Sequence, residues 1–268
     1  MKLFLYLHCS CWPILLTGAL FFSHASMGQV VSAQTNLPQA GLTAPPPISV
    51  KDLPGASDVT GTIPLRLVSP GNFELGNVRV SKVERTVSFP ALLNSSQGPQ
   101  EYLLVTRYGK THESVLATEI EPYLIHVAML LLDATSTGTN KLSIAPQQQI
   151  KNPLATTLSG DKISIEVRWT VDGQEIRRPA EQLIYNTDAK AVLGSGIWVY
   201  NGSAVWDGKF LAQREGSIAS LVTDPVALIN NTGLGHDNDH IWTVNTNSLP
   251  PANVPLQVVI KLNPKNGK

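Results

Sequence analysis

The hydrophobic and polar positions divide the chain into an apolar leader, a proline-punctuated polar stretch, and a long region of short alternating segments interrupted by one wholly apolar block. Leu3 to Phe22 is apolar except for His8, Ser10, Pro13, Thr17 and Gly18, and Lys2 precedes it. A charged start, an apolar run and an exit through small residues predict a cleavable secretory signal. Cleavage is expected after Ala25 or after Ala33, with Ala33 the better placed, so residues 1 to 33 read as the signal. The alternative, an uncleaved anchor, fits poorly with so broken a run. Residues 34 to 61 carry Pro38, Pro45, Pro46, Pro47 and Pro54 among small polar residues and read as a linker or extended tail.

Alternating and β-branched segments then predict strands at Ile63 to Val68, Val78 to Val83, Thr86 to Leu93 and Glu101 to Arg107, the last two joined as a hairpin through Ser95, Ser96, Gly98 and Pro99. Val115 to Thr118 reads as a further strand. Tyr123 to Leu132 is almost wholly apolar behind Pro122, which predicts a buried helix near 122–133. Ala134 to Asp161 reads as a polar loop. Strands resume at Ile163 to Val171, with Asp172-Gly173 as a hairpin turn, and at Ile197 to Tyr200, Lys209 to Gln213 and Ile218 to Val222. Short helices are predicted near 179–184 and 225–231, the second started by Asp224-Pro225. The expected class is α+β, strand-rich with antiparallel hairpins, in a single domain over 62 to 264. A faint internal repeat sets Tyr102, Arg107, Gly109, Ser114, Thr118 and Pro122 against Phe210, Arg214, Gly216, Ser220, Thr223 and Pro225.

Composition narrows the chemistry. Twenty basic and twenty acidic residues balance, so no global field draws nucleic acid or anionic lipid. Both cysteines, Cys9 and Cys11, lie in the signal. The exported domain is therefore expected to hold no disulfide, no thiolate nucleophile, no Cys-ligated zinc and no iron–sulfur cluster.

Two polar clusters remain as candidate sites. The first is Lys110, His112, Glu113 and Ser114, within EYLLVTRYGKTHES from Glu101 to Ser114. A histidine beside a carboxylate suits a general base or a metal ligand. Neighbours in a strand point to opposite faces, however, and the position four beyond His112 is Leu116, which excludes HExxH. Gly109-Lys110-Thr111 lacks the earlier glycine of a phosphate loop, since Leu104 stands there. The second cluster, His236 to His240, alternates oxygen ligands. It departs from a calcium loop at Trp242 and Ser248, and Asx-turn chemistry is the expected role of its side chains. Arg214 and Glu215 either pair with each other or face a site. His126, inside the apolar helix, reads as a core histidine with one hydroxyl or backbone partner. Trp198, Trp206, Trp242 and Tyr200 read as core rather than as an aromatic platform.

Read together, GKTHES, EIEPYLIHVAMLLL, FLAQREGSIASLVTDPVALIN and HDNDHIWTVN resemble the YdjY-domain family of exported bacterial proteins, over roughly Val78 to Lys261. That family is without an established biochemical activity, so the resemblance implies export, a bacterial source and one domain. Some members carry a ferredoxin-like label, which does not transfer to a chain without the cysteines for such a cofactor. The expected function is a non-catalytic binding or structural accessory role in the cell envelope, periplasmic or extracellular, with an unknown envelope ligand or protein as partner, no nucleic acid, and no transmembrane anchor after cleavage. Ligand-binding candidates are Lys110, Ser114, Arg214 and Glu215. The alternative is a hydrolase or metal-dependent enzyme using His112 and Glu113 with Asp237 and Asp239. In that case a divalent metal at His112, Asp237 and Asp239 is the one cofactor expected. A surface adhesion module is a third reading, marked by a large exposed apolar patch.

Overall fold

The computed structural model describes residues 65–135 and 158–264, together with the backbone of 48–49 and 62–63. These belong to one compact unit, Thr43–Lys268. The signal at 1–33, most of the linker at 34–61 and most of the loop at 134–161 lie outside the described residues.

Fourteen strands and two helices carry the architecture: β1 Leu65–Ser69, β2 Asn72–Leu75, β3 Val78–Ser81, β4 Thr86–Leu93, β5 Tyr102–Thr106, β6 Ser114–Thr118, α1 Pro122–Leu131, β7 Asp161–Val171, β8 Gln174–Pro179, β9 Ile184–Asn186, β10 Trp198–Tyr200, α2 Leu211–Glu215, β11 Ser217–Ser220, β12 Ile229–Asn231, β13 Trp242–Val244 and β14 Leu256–Leu262. Eight of them close a ring in the order β4, β14, β7, β10, β12, β11, β5, β6 and back to β4. β8 extends this barrel beyond β7, and β3, β2 and β1 extend it beyond β4. The class is therefore a mixed β-barrel, which corrects the α+β expectation.

The long antiparallel side of the barrel follows from alternation. In β7, Ile163, Ile165, Val167 and Trp169 are buried while their neighbours face outward, and β14 buries Leu256, Val258, Ile260 and Leu262. Val258 pairs with Phe89 on one side and Val167 on the other, so one register brings three apolar faces into the core. The hairpin at Asp172-Gly173 forms as expected. Both residues have positive φ, 51° and 77°, which matches the right-handed twist of the flanking strands.

The other side carries two parallel pairs. β5 and β6 run parallel, with Tyr102 opposite Ser114 and Thr106 opposite Thr118. β11 and β12 run parallel, with Ala219 opposite Ile229. Between the pairs, β5 and β11 are antiparallel with register irregularities. The predicted hairpin of residues 86–93 with 101–107 is thus incorrect, because β4 pairs with β6 and β14 instead. A parallel neighbour requires the chain to travel back along the strand before starting again. At about 3.3 Å per residue, the seven residues 107–113 suffice for a five-residue strand, without the usual crossover helix. Residues 221–228 make the equivalent return between β11 and β12.

Helix α1 forms where predicted and buries Tyr123, Ile125, His126, Val127, Ala128 and Met129. It packs against β3, β4 and α2. Residues 180–183 form a 3-10 turn, close to the predicted helix there. The helix predicted at 225–231 is absent: Asp224 does accept the Val226 N–H at 2.9 Å, but the chain turns once and enters β12. The strand predicted at 209–213 is largely helix, since only Lys209–Phe210 is extended before α2 begins. These differences remove the internal repeat, because β6 leads into a helix whereas its counterpart β11 leads into a turn and a strand.

Candidate functional site

The two return crossings meet at one cleft. It encloses about 360 Å³ and is lined by Glu101, Tyr102, Lys110, Arg214, Glu215, Ser217, Ser220, Val222, Thr223, Asp224 and Val226. That volume falls in the range of small-molecule sites.

Backbone approach makes the cleft possible. Gly216 ends α2 in the left-handed conformation, φ 71°, and its N–H donates to Ala212 O. Its carbonyl accepts the Thr106 N–H at 2.8 Å, and a Cβ on Gly216 would lie 2.8 Å from Gly109 Cα. A Cβ on Gly109 would in turn lie 2.9 Å from Gly216 O. The glycines of GKTHES and AQREGS therefore touch backbone to backbone, and the residues that follow or precede them, Lys110 and Arg214, reach the same space. Asn94 pins the first crossing by donating to the carbonyls of Thr111 and Ser114, each at 2.6 Å.

A polar chain runs across the cleft. Lys110 Nζ donates to the Tyr102 hydroxyl at 3.1 Å, and that hydroxyl donates to Asp224 Oδ2 at 2.9 Å. Glu113 Oε1 lies 3.6 Å from Lys110 Nζ. Asp224 is held in turn by Asn230, whose Oδ1 accepts the Asp224 N–H and whose Nδ2 donates to the Asp224 carbonyl, both at 2.8 Å. Asn230 also donates to Asn201, at 2.9 Å.

Burial raises the Asp224 carboxyl above the ordinary range, opposed by the Val226 N–H, the Tyr102 hydroxyl and the Lys110 charge. Glu101 is raised as well, first by burial and then by Glu113, with Asp239 and Asp224 adding and Lys110 opposing. Tyr102 is raised by burial and by Asp224, which keeps its hydroxyl protonated as a donor.

Of the predicted residues, Lys110, Arg214 and Glu215 line the cleft, and Glu113 stands behind Lys110. Arg214 Nε and Glu215 Oε1 are 2.8 Å apart, so these two pair with each other and also face the site. Ser114 is elsewhere: it is fully buried, and its hydroxyl donates to Leu116 O. His112 projects from the 3-10 turn Thr111–Glu113 with 78% of its side chain exposed.

The second cluster borders the same cleft through His236, whose Nδ1 lies 2.6 Å from Thr223 Oγ1 and whose carbonyl accepts from Thr223. Asn238 accepts the His240 N–H in an Asx turn, as expected. Asp239 is half-exposed beside His240, and Asp237 does not line the cleft. Among the described residues, no three His, Asp or Glu side chains converge to hold a metal ion.

His126 is a core histidine. Its Nδ1 sits 2.7 Å from the Tyr200 hydroxyl, its ring lies 4.9 Å from that of Phe210, and burial lowers it to about 4. Trp198, Trp242 and Tyr200 are likewise buried.

Sequence reasoning missed Tyr102 and Asp224. Tyr102 reads as one more apolar residue of YLLVT, and Asp224 reads as a helix cap. The only hint was that both lie inside quoted strings, Tyr102 in EYLLVTRYGKTHES and Asp224 in FLAQREGSIASLVTDPVALIN.

The family model of the YdjY domain matches residues 78–261. No curated protein matches the chain. No solved structure matches it either.

Proposed function

The chain belongs to the YdjY-domain family, and from that premise we propose that it is an exported protein of the cell envelope, periplasmic or extracellular, whose domain binds a small polar ligand in the cleft between its two return crossings. The observation that carries this reading is the Gly109–Gly216 contact. It brings the GKTHES and AQREGS strings, about a hundred residues apart, to opposite sides of one ligand-sized space. A binding role is favoured over catalysis by the lining itself. It holds no histidine or cysteine, and its hydrogen bonds set Lys110 and Tyr102 as donors and Asp224 as acceptor, an arrangement that receives a ligand's polar groups. Export is supported by the leader, with its apolar run and small-residue exit.

The test uses the exported protein purified from cells expressing the full chain. Thermal shift against saccharides, peptides, peptidoglycan fragments and divalent ions is expected to give a ligand whose stabilisation disappears in Lys110→Ala. Amino-terminal sequencing of the same material is expected to begin at Gln34. Turnover of a screened compound, or a metal-dependent shift abolished by His112→Ala and Asp239→Ala, would replace this reading with that of a metal-dependent enzyme. A protein retained in the cytoplasm with an intact leader would overturn the assignment to the envelope.

A further inference from the structure

The arrangement of charge in the cleft narrows the ligand, an inference that rests on the reading of the cleft as a ligand site. Lys110 and Asp224 are opposite charges facing the same space, yet they do not pair. The Tyr102 hydroxyl stands between them, accepting from Lys110 at 3.1 Å and donating to Asp224 at 2.9 Å. Glu113 forms an ion pair with Lys110 at 3.6 Å but accepts no hydrogen bond from it, so the ammonium keeps donors in reserve. Among the described residues, neither Asp224 nor Glu101 has a cation within ion-pair distance.

The two carboxyl groups in this partly desolvated cleft are under-neutralised, Lys110 is paired with Glu113 on its far side, and a hydroxyl wedge keeps Lys110 and Asp224 from collapsing onto each other. A ligand with a single charge would satisfy one side and repel the other. A ligand carrying both charges a few ångströms apart satisfies both sides. Val222 and Val226 add apolar lining for a short aliphatic side chain.

We propose that the cleft binds a small zwitterion of the amino-acid or short-peptide class, its ammonium received by Asp224 and Glu101 and its carboxylate by Lys110, with the Arg214–Glu215 pair at the border. Burial of Asp224 and Glu101 fits this, since an arriving ammonium would lower both carboxyls back toward their ordinary range.

The experiment is calorimetric titration of the exported protein with dialanine, N-acetyl-dialanine and dialanine amide, repeated in Asp224→Asn and Lys110→Met. Each blocked peptide is expected to bind at least tenfold more weakly than dialanine. Each penalty is expected to shrink in one variant only: the cost of acetylation in Asp224→Asn, where Glu101 alone still faces the ammonium, and the cost of amidation in Lys110→Met. Asp224→Asn keeps an acceptor for the Val226 N–H, and a thermal melt of each variant confirms that it is folded. Equal binding of blocked and free peptides, or penalties that persist unchanged in both variants, would overturn the zwitterion. If dialanine fails to bind while another compound binds in a Lys110-dependent way, the ligand class falls and the cleft reading stands. If nothing binds in a Lys110-dependent way, both fall.

Discussion

Helix α1 and the two return crossings both place polar side chains out of water, and they do so in opposite ways. Around α1 the polar groups are few and mostly uncharged, and among the described residues the buried Tyr123 hydroxyl has no hydrogen-bond partner. His126 meets the Tyr200 hydroxyl, and Gln213 of α2 accepts the Tyr123 N–H at 3.1 Å while also contacting Tyr108 and Glu121. The surroundings are apolar side chains on nearly every side. At the crossings, Lys110 and Asp224 are kept apart by the Tyr102 hydroxyl, and Asp224 and Glu101 face the cleft without a cation of their own. The helix region is built for stability, and the crossings hold charge in reserve. The contrast teaches that burial alone does not mark a site. What marks it is a buried charged group whose partners stop short of neutralising it.

The hardest strike at the helix side is Ile125→Ala, which empties a fully buried position of α1. It should cost about 2–5 kcal/mol in denaturant unfolding, with ligand binding by the remaining folded protein unchanged. A loss of binding larger than the loss of folded protein would show that the two regions are coupled.

Acid provides the next test. His126 is lowered from 6.5 to about 4, so the unfolded chain takes up its proton first and the folded state is favoured fully only above the unfolded value. Stability should fall as the pH drops from about 6.5 to about 4, by about 3 kcal/mol, and His126→Gln should flatten that slope. The cleft acids carry the opposite sign. Asp224 and Glu101 are raised, so their contribution is present below the ordinary carboxyl range and is lost as the pH rises through their folded values. Urea unfolding at stepped pH, on the parent and on His126→Gln, separates the two. An unchanged acid slope in the variant would mean that His126 does not set it.

Gly216→Ala attacks the contact between the first crossing and the end of α2. The left-handed conformation costs a non-glycine residue about 1–2 kcal/mol, and the new Cβ would collide with the Thr106 hydroxyl and lie 2.8 Å from Gly109 Cα, forcing the first crossing away from the end of α2. Stability should fall modestly and ligand binding should disappear, the reverse of the Ile125→Ala pattern. Retained affinity would show that the glycine contact does not shape the cleft.

The smallest effect is expected at Arg107 and Glu119, 3.0 Å apart but with side chains 72% and 67% exposed. Glu119→Gln should change unfolding by about 0–1 kcal/mol and leave binding untouched. A larger change would mean that the exposed pair also braces the first crossing.

How much of this could be read beforehand varied with the range of the interaction. The strand of Asp161–Val171, its Asp172-Gly173 turn, the apolar helix behind Pro122 and the core roles of His126, Trp198 and Trp242 were legible, because alternation, turn chemistry and apolar density are local. The hairpin of 86–93 with 101–107 was misread because a polar loop between two strands looks the same whether the next partner is the neighbouring strand or one arriving later. Short parallel returns carry no sequence mark when no helix makes the crossing. Residues 225–231 were misread because Asp-Pro starts a turn and a helix with the same first bonds.

The same division applies to function. Residue type alone determined the export-like leader, the absence of cysteine beyond Cys11 and the two polar strings, since each is a property of composition or short spacing. Tertiary structure decided which of those residues share a space. It put Lys110, Arg214 and Glu215 at one cleft, added Tyr102 and Asp224, turned Ser114 into the sheet and left His112 in solvent. Closure of the barrel is the physical reason: pairing β5 with β11 brings together loops that no periodicity in the chain connects.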